Sequence, residues 1–171
     1  MAEISGHAGQ QAVAAMAAYG TDVMFTLNGG HIWPLYDAAR NQGMRVVDTR
    51  HEQSATFAAE AYAKLTRRPG FAALTAGPGI TNGVSAVTSA HFNGSPVVVL
   101  GGRAPQGRWG AGSLQELDHV PGTWRHGVAP DGDARTVRAA RILGAAGQDE
   151  PGGFGIDRRR VAAVGGDDGE V

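Results

Sequence analysis

Four short apolar runs, each of strand length and each set apart by a helix-length segment, constrain this chain more than any other feature. They read DVMFTL at 22–27, RVVDT at 45–49, FAALT at 71–75 and PVVVL at 96–100. The segments around them carry helical signals. Gly6 to Tyr19 predicts a first helix, with Val13 and Met16 at helical spacing and Gly20 as its stop. Ile32 to Asn41 predicts a second, with Pro34 tolerated in its first turn. Glu52 to Thr66 is the best helix of the chain. Phe57, Ala58, Ala61, Tyr62 and Leu65 lie on one of its faces and read as its apolar stripe, and Arg67, Arg68, Pro69 and Gly70 end it. A fourth helix runs from about Ile80 to Phe92. Strands alternating with helices predict an α/β fold: a doubly wound, mostly parallel sheet with helices on both faces and right-handed crossovers.

In such sheets ligands bind outside the carboxyl ends of the strands. The three most distinctive turns fall there: Asn28-Gly29-Gly30, Arg50-His51-Glu52-Gln53, and Gly77-Pro78-Gly79-Ile80-Thr81-Asn82. The fourth strand feeds Gly101-Gly102-Arg103. Convergence of these turns on one sheet edge is the physical sign of a site.

Composition narrows the chemistry. The chain has 171 residues and a formal charge of −1, so the basic excess of a nucleic-acid binder is missing. Its cysteine count is 0, which removes disulfides, thiolate metal sites and Cys nucleophiles from consideration. No apolar run reaches membrane-spanning length, and the polar start from Met1 to Gln11 lacks the basic-then-apolar order of a signal peptide. A cytoplasmic protein without membrane or nucleic-acid partners is the expectation.

Glu52 is the first candidate for chemistry. It stands where a strand becomes a helix, at the ligand edge, where a carboxyl screened by helices can exchange a proton. Its spacing from Thr49 also fits a Thr-x-x-Glu capping box, which gives it a purely structural role. Gly77 to Asn82 lets a backbone approach a ligand at a helix N-terminus. The Gly-Lys-Ser/Thr ending of a P-loop is absent, and a tight turn capped by Thr81 accounts for the same residues. The histidines, at 7, 31, 51, 91, 119 and 126, form no spaced metal pair. His51 reads as a first-turn residue, with a site role as the alternative. Ser95 and Ser113 lack a nucleophile-elbow context, and Arg158-Arg159-Arg160 reads as a solvated run.

Taken together, FTLNGGHIWPLYDA, DTRHEQSATFAAEAYAKLTRRPG, LTAGPGITNGVSAV, SPVVVLGGRAP and GSLQELDHVP resemble the N-terminal, pyrimidine-binding domain of thiamine-diphosphate-dependent enzymes of the acetolactate synthase type. The likeness covers residues 7–121, and Arg-His-Glu-Gln followed by Gly-Pro-Gly-x-Thr-Asn is its specific part. The resemblance implies that Glu52 hydrogen-bonds the aminopyrimidine ring of thiamine diphosphate. That favours the imino tautomer, whose nitrogen takes the thiazolium proton, and the cofactor then serves as electron sink for a 2-oxo acid such as pyruvate. It also implies that Gly29, Gly30, Gly79 and Asn82 line the cofactor and that Gln115 faces the substrate. Family enzymes build each site from two domains, usually of two subunits, so a homodimer or a complementing diphosphate-binding domain is the expected partner.

The second domain's signature, Gly-Asp-Gly followed some two dozen residues later by Asn, is not found. Asp131-Gly132-Asp133 and Gly166-Asp167-Asp168 do not match it, and no Asn follows Asn93. Magnesium would therefore enter only through a missing second domain, which leaves a weak or incomplete cofactor site and a chain inactive alone. Residues 122–171 change character: they hold 11 of the 27 glycines, seven arginines and no lysine. This predicts two regions, a pyrimidine domain at 1–121 and a poorly ordered tail at 122–171, by a reading-frame shift near codon 121 or as a natural tail. One modest helix, from about Ala134 to Leu143, is expected there. No strand is expected to finish the sheet, which would leave an edge uncovered.

Overall fold

A computed structural model describes residues 6–119 and the backbone of residues 141–144. Four helices, α1 (Ala8–Ala18), α2 (Trp33–Asn41), α3 (Glu52–Thr66) and α4 (Pro78–Phe92), surround five strands. The strands are β1 (Val23–Thr26), β2 (Arg45–Asp48), β3 (Gly70–Leu74), β4 (Val97–Gly101) and β5 (Arg141–Gly144), in the order β2-β1-β3-β4-β5 with every pairing parallel. The doubly wound α/β expectation therefore holds.

The layers follow from the two-residue period of β3. Phe71 and Ala73 face a core with Val13 and Met16 of α1 and Leu35 and Ala38 of α2. Ala72 and Leu74 face the opposite core, with Ala55 and Ala59 of α3 and Ile80 and Val87 of α4. All five residues of β3 are buried, as a central strand covered on both faces must be. The chain leaves β1 toward β2 on one side and returns to β3 on the other. The order reverses between β1 and β3, and the carboxyl ends of these strands flank the crevice that such a reversal opens.

Three sequence expectations are corrected. The stripe of α3 is turned the other way: Phe57 is 40% exposed, Leu65 is 84% exposed and Ala61 is exposed, whereas Ala55, Thr56, Ala59, Glu60 and Ala63 are buried. The reason is close approach. A Cβ on Gly70 would collide with the Ala59 carbonyl oxygen, and one on Gly83 would stand 2.5 Å from Leu74 Cδ1 and 3.2 Å from Thr56 Oγ1. At these close approaches α3 presents Ala55, Thr56, Ala59 and Ala63, whose side chains are small enough to fit. The edge of β4 is not left open, because Val98 to Gly101 pair with Arg141 to Gly144. Exposed backbone groups of β4 form a template for a strand, and Ile142-Leu143 is a short apolar pair able to fill it. The helix expected over 134–143 is accordingly replaced by strand from Arg141. The rest of that span and the order of the tail lie outside the described residues.

The end of α3 came out as expected. It stops at Thr66, and Arg67 takes a left-handed conformation at φ 59. A side chain there is strained by about 1 kcal/mol relative to glycine. Arg67→Gly is expected to stabilise the protein by about that amount in urea unfolding, with an unchanged slope.

Glu60 is the one buried acid of the core face of α3 beyond its first turn. Its carboxylate receives Lys64 Nζ at 2.7 Å, Asn93 Nδ2 at 2.8 Å, Ser95 Oγ at 3.1 Å and Ser89 Oγ at 3.2 Å. Burial pushes the carboxyl up, but the hydrogen bonds from Lys64, Asn93 and Ser95 and the Lys64 charge outweigh it, and it titrates below its ordinary value. The unfolded chain then binds the proton more readily. The stability Glu60 contributes is complete above the ordinary carboxylate range and drains away as pH falls through the folded pKa. Glu60→Gln is expected to flatten the acid limb of a stability–pH profile.

Candidate functional site

The loops that follow β1, β2, β3 and β4 meet at the β1–β3 reversal. A polar frame holds the first of them. The Asn28 N–H donates to Asp48 Oδ1 at 3.2 Å, and Trp33 Nε1 donates to Asn28 Oδ1 at 3.1 Å. Tyr36 Oη lies 3.1 Å from Thr26 Oγ1 and 3.3 Å from Asp48 Oδ1. Burial, chiefly, raises the Tyr36 phenol above its ordinary value, so it stays a neutral donor.

Glu52 opens α3 and is 7% exposed. Its Oε2 accepts from Asn82 Nδ2 at 3.0 Å, which spans the gap between α3 and α4. Its Oε1 has no hydrogen-bond partner among the described residues. The expected Thr49–Glu52 capping box does not form. His51 is the cap, its Nδ1 accepting from the Gln53 N–H at 3.2 Å, while the Thr49 hydroxyl turns back to the Thr26 and His51 carbonyls. The reason is that Thr49 still belongs to the extended chain leaving β2, so its side chain is claimed by β1. His51 is thus a helix-capping residue with an exposed side chain. Thr81 does not cap α4 either. Gly77 holds that position at φ 57, and the Thr81 hydroxyl donates to the Pro78 carbonyl.

Thr75, which follows β3 and is 6% exposed, joins the remaining predicted residues. A Cβ on Gly29 would collide with its hydroxyl, and one on Gly79 would stand 2.7 Å from Thr75 Cγ2 and 3.6 Å from Glu52 Oε1. Gly30 faces open space. Gln115 is held at φ 56, an uncommon conformation for a residue with a side chain, costing about 1–3 kcal/mol and concentrated at functional sites. Its Oε1 accepts from Thr75 Oγ1 at 3.4 Å, and a Cβ on Gly77 would meet the Gln115 carbonyl oxygen at 2.6 Å. His31 Nδ1 lies 3.4 Å from Thr75 Oγ1.

The geometry thus brings Glu52, Gly79 and Asn82 together, and Gly29 and Gln115 beside them through Thr75. Gly30 follows in the same turn, with nothing within 4 Å of an added Cβ. Thr75 and His31 were missed by sequence reasoning: one read as the last residue of a strand, the other as one of six scattered histidines. The usable signal was their placement, Thr75 at a strand's carboxyl end and His31 directly after a Gly-Gly turn. Among the described residues no group of three or more His, Asp or Glu is placed to hold a metal ion. An open groove of ≈ 290 Å³ lies at the opposite end of the sheet, lined by Val13, Thr21, Gln42 and Met44 among others. The Thr21 and Gln42 side chains are already spent on the Pro69 and Gln10 carbonyls, so the groove offers a ligand little.

Comparison with known proteins accords with this geometry. Residues 7–121 match the family described as thiamine pyrophosphate enzyme, N-terminal TPP binding domain. A probable acetolactate synthase of Mycobacterium bovis and the acetolactate synthase large subunit IlvG of Mycobacterium tuberculosis are each 52% identical over 158 residues, 92% of this chain and 26% of theirs. Those two matches run past residue 121. The 2-hydroxyacyl-CoA lyase 2 of Bos taurus is 50% identical over 114 residues, 67% of this chain and 18% of its own. The chain spans about a quarter or less of the length of these relatives.

Proposed function

This chain belongs to the thiamine pyrophosphate enzymes, carrying their N-terminal TPP binding domain, and from that premise we propose that it supplies the pyrimidine-facing half of an acetolactate synthase-type site for 2-oxo acid decarboxylation and carboligation. Pyruvate is the 2-oxo acid proposed, a reading supported by the similarity to the two mycobacterial acetolactate synthases. The observation that carries the reading is the Glu52 carboxylate: buried at the crevice, one oxygen fixed by Asn82, the other open to a ligand. That donor set fits an aminopyrimidine, which needs an acceptor or a shared proton held in a screened place. When bound, thiamine diphosphate supplies the electron sink for cleaving the bond next to a carbonyl.

The protein's residues do the rest. Asn82 orients Glu52, so its free oxygen is presented at one angle. Gly29 and Gly79 leave Thr75 the room it takes beside Glu52, and their backbones line the pyrimidine side. Thr75, Gln115 and His31 border the substrate side. Holding of the diphosphate through a metal falls to another domain. We propose that this domain, whether separately encoded or in a second copy of a longer chain, closes over the crevice at the carboxyl ends of the strands.

Calorimetry with thiamine diphosphate tests the reading. Weak binding by the chain, lost in Glu52→Gln, is the expected result, and binding indifferent to Glu52 would overturn it. The second reading, a non-catalytic fragment or subunit that works only beside a diphosphate-binding domain, predicts no turnover of pyruvate by this chain alone. Turnover by the isolated chain with magnesium present would sink it.

A further inference from the structure

Arg103 stands just past the end of β4 and is unlike the other cations of the chain. Its predecessor Gly102 is packed into the crevice wall: a Cβ there would stand 2.5 Å from His31 Cβ and 3.0 Å from the Ala76 nitrogen. The backbone of Arg103 therefore leaves the sheet at the carboxyl edge, where such folds receive ligands. Every other lysine and arginine among the described residues is exposed, whereas Arg103 is half-buried. Its guanidinium carbon lies 4.0 Å from the centroid of the Trp109 ring, the geometry of a cation held on an aromatic face.

That charge has no counter-ion. Among the described residues no carboxylate stands within ion-pair distance of Arg103, and none of its guanidinium N–H groups is hydrogen-bonded. Glu116 sits in the same loop but is already used, its Oε1 accepting from the Gly110 N–H at 2.7 Å and its Oε2 from the Ser113 N–H at 3.0 Å. Asp118 is exposed. Burial, chiefly, and the Arg103 charge hold His119 below its ordinary value, so that neighbour is a neutral ring and supplies no anion. Trp109 attracts the cation through its ring quadrupole but has no lone pair to accept an N–H, so the guanidinium fork remains unfilled. A charge withdrawn from water without an opposite charge or hydrogen bonds costs free energy, and an arriving anion would remove that cost.

We propose that Arg103, held on Trp109, is a carboxylate-binding residue at this edge and anchors the carboxylate of the 2-oxo acid. A guanidinium fork matches the two oxygens of a carboxylate, and the charges of the pair balance. Phosphate is the poorer fit, because it carries more charge than a single guanidinium neutralises. The role is binding and orientation, and Arg103 exchanges no proton. The identity of the acid rests on the function proposed above, whereas the anion site itself rests on Arg103 and Trp109.

Indole N–H resonances of the full chain, labelled at tryptophan nitrogen and recorded without cofactor, test it. The chain has three tryptophans, and Trp109→Phe identifies the signal of residue 109. Pyruvate, titrated at constant ionic strength, is expected to move that signal along a saturating curve, and its uncharged methyl ester to leave it in place. Arg103→Gln is expected to abolish the response. Arg103→Lys is expected to weaken it several-fold, because an ammonium keeps the charge but lacks the fork. The Trp33 signal before pyruvate is added, from an N–H bonded to Asn28 Oδ1, reports whether the crevice loops of each variant are folded. Where Arg103→Gln fails that check, Arg103→Lys decides, and binding as tight as the parent's overturns the proposal. So does a shift that never saturates, an ester as effective as pyruvate, inorganic phosphate binding more tightly than pyruvate, or a folded Arg103→Gln chain that still responds. Failure of the cofactor reading shows instead in calorimetry with thiamine diphosphate at Glu52 and leaves the pyruvate titration untouched.

Discussion

Glu52→Gln, introduced into the chain paired with a diphosphate-binding domain, is expected to lower turnover of pyruvate by about 10²–10⁴-fold, the span ordinarily lost with a proton-exchanging side chain. The fold should survive. The substitution keeps the volume, and the new amide oxygen still accepts from Asn82 Nδ2, the hydrogen-bond partner of this carboxylate among the described residues. What changes is the other position. An acceptor able to take or share a proton becomes an amide N–H, which can only donate. Assembly, followed by gel filtration, and the unfolding midpoint should match the parent, so a fall in rate reads as chemistry. Full activity in this variant would remove Glu52 from the proposed role.

Gly70→Ala is expected to cost at least about 1–3 kcal/mol in urea unfolding, the range for forcing an extra methyl group into a packed core. It is the more instructive of the two because no side chain can yield. Gly70 donates its N–H to the Pro96 carbonyl at 2.9 Å and is fixed in the ladder opposite Val97. A Cβ there falls on the Ala59 carbonyl oxygen, in the backbone of α3. Relief requires α3 to lift from β3, which also strains the hydrogen bonds of Glu60, the next residue, with Ser89, Asn93 and Ser95. Gly43→Ala is the control: it has φ 72 but nothing within 4 Å of an added Cβ, so it bears only the conformational penalty of about 1 kcal/mol. Equal losses in the two variants would mean that α3 and β3 do not approach this closely.

Much of this was readable before any coordinates. The four apolar runs became β1 to β4, and the turns after them became the walls of the crevice. Glu52, Asn82, Gly29 and Gln115 did converge there. The errors share one cause. Phe57 and Leu65 looked like the core face of α3 because they are large and apolar at helical spacing, yet burial went to alanines, Thr56 and Glu60. Thr49 looked like a cap and is bonded to β1. Each misreading treated a residue as answering to its own helix, when a neighbour across the sheet had the stronger claim.

Local sequence determined which segments are strands and helices, where the glycine turns fall and that a carboxylate opens α3, because periodicity, turn chemistry and capping act over a few residues. Distances between elements are a different quantity. The reach of Asn82 to Glu52, the meeting of Gly29 with Thr75 and the contacts of Thr75 with His31 and Gln115 join residues 30 to 46 positions apart along the chain. They exist only once the sheet has set the order β2-β1-β3-β4-β5 and brought the strand ends into one crevice. Packing at that edge, where backbone meets side chain with no room to spare, decided what no local pattern encodes.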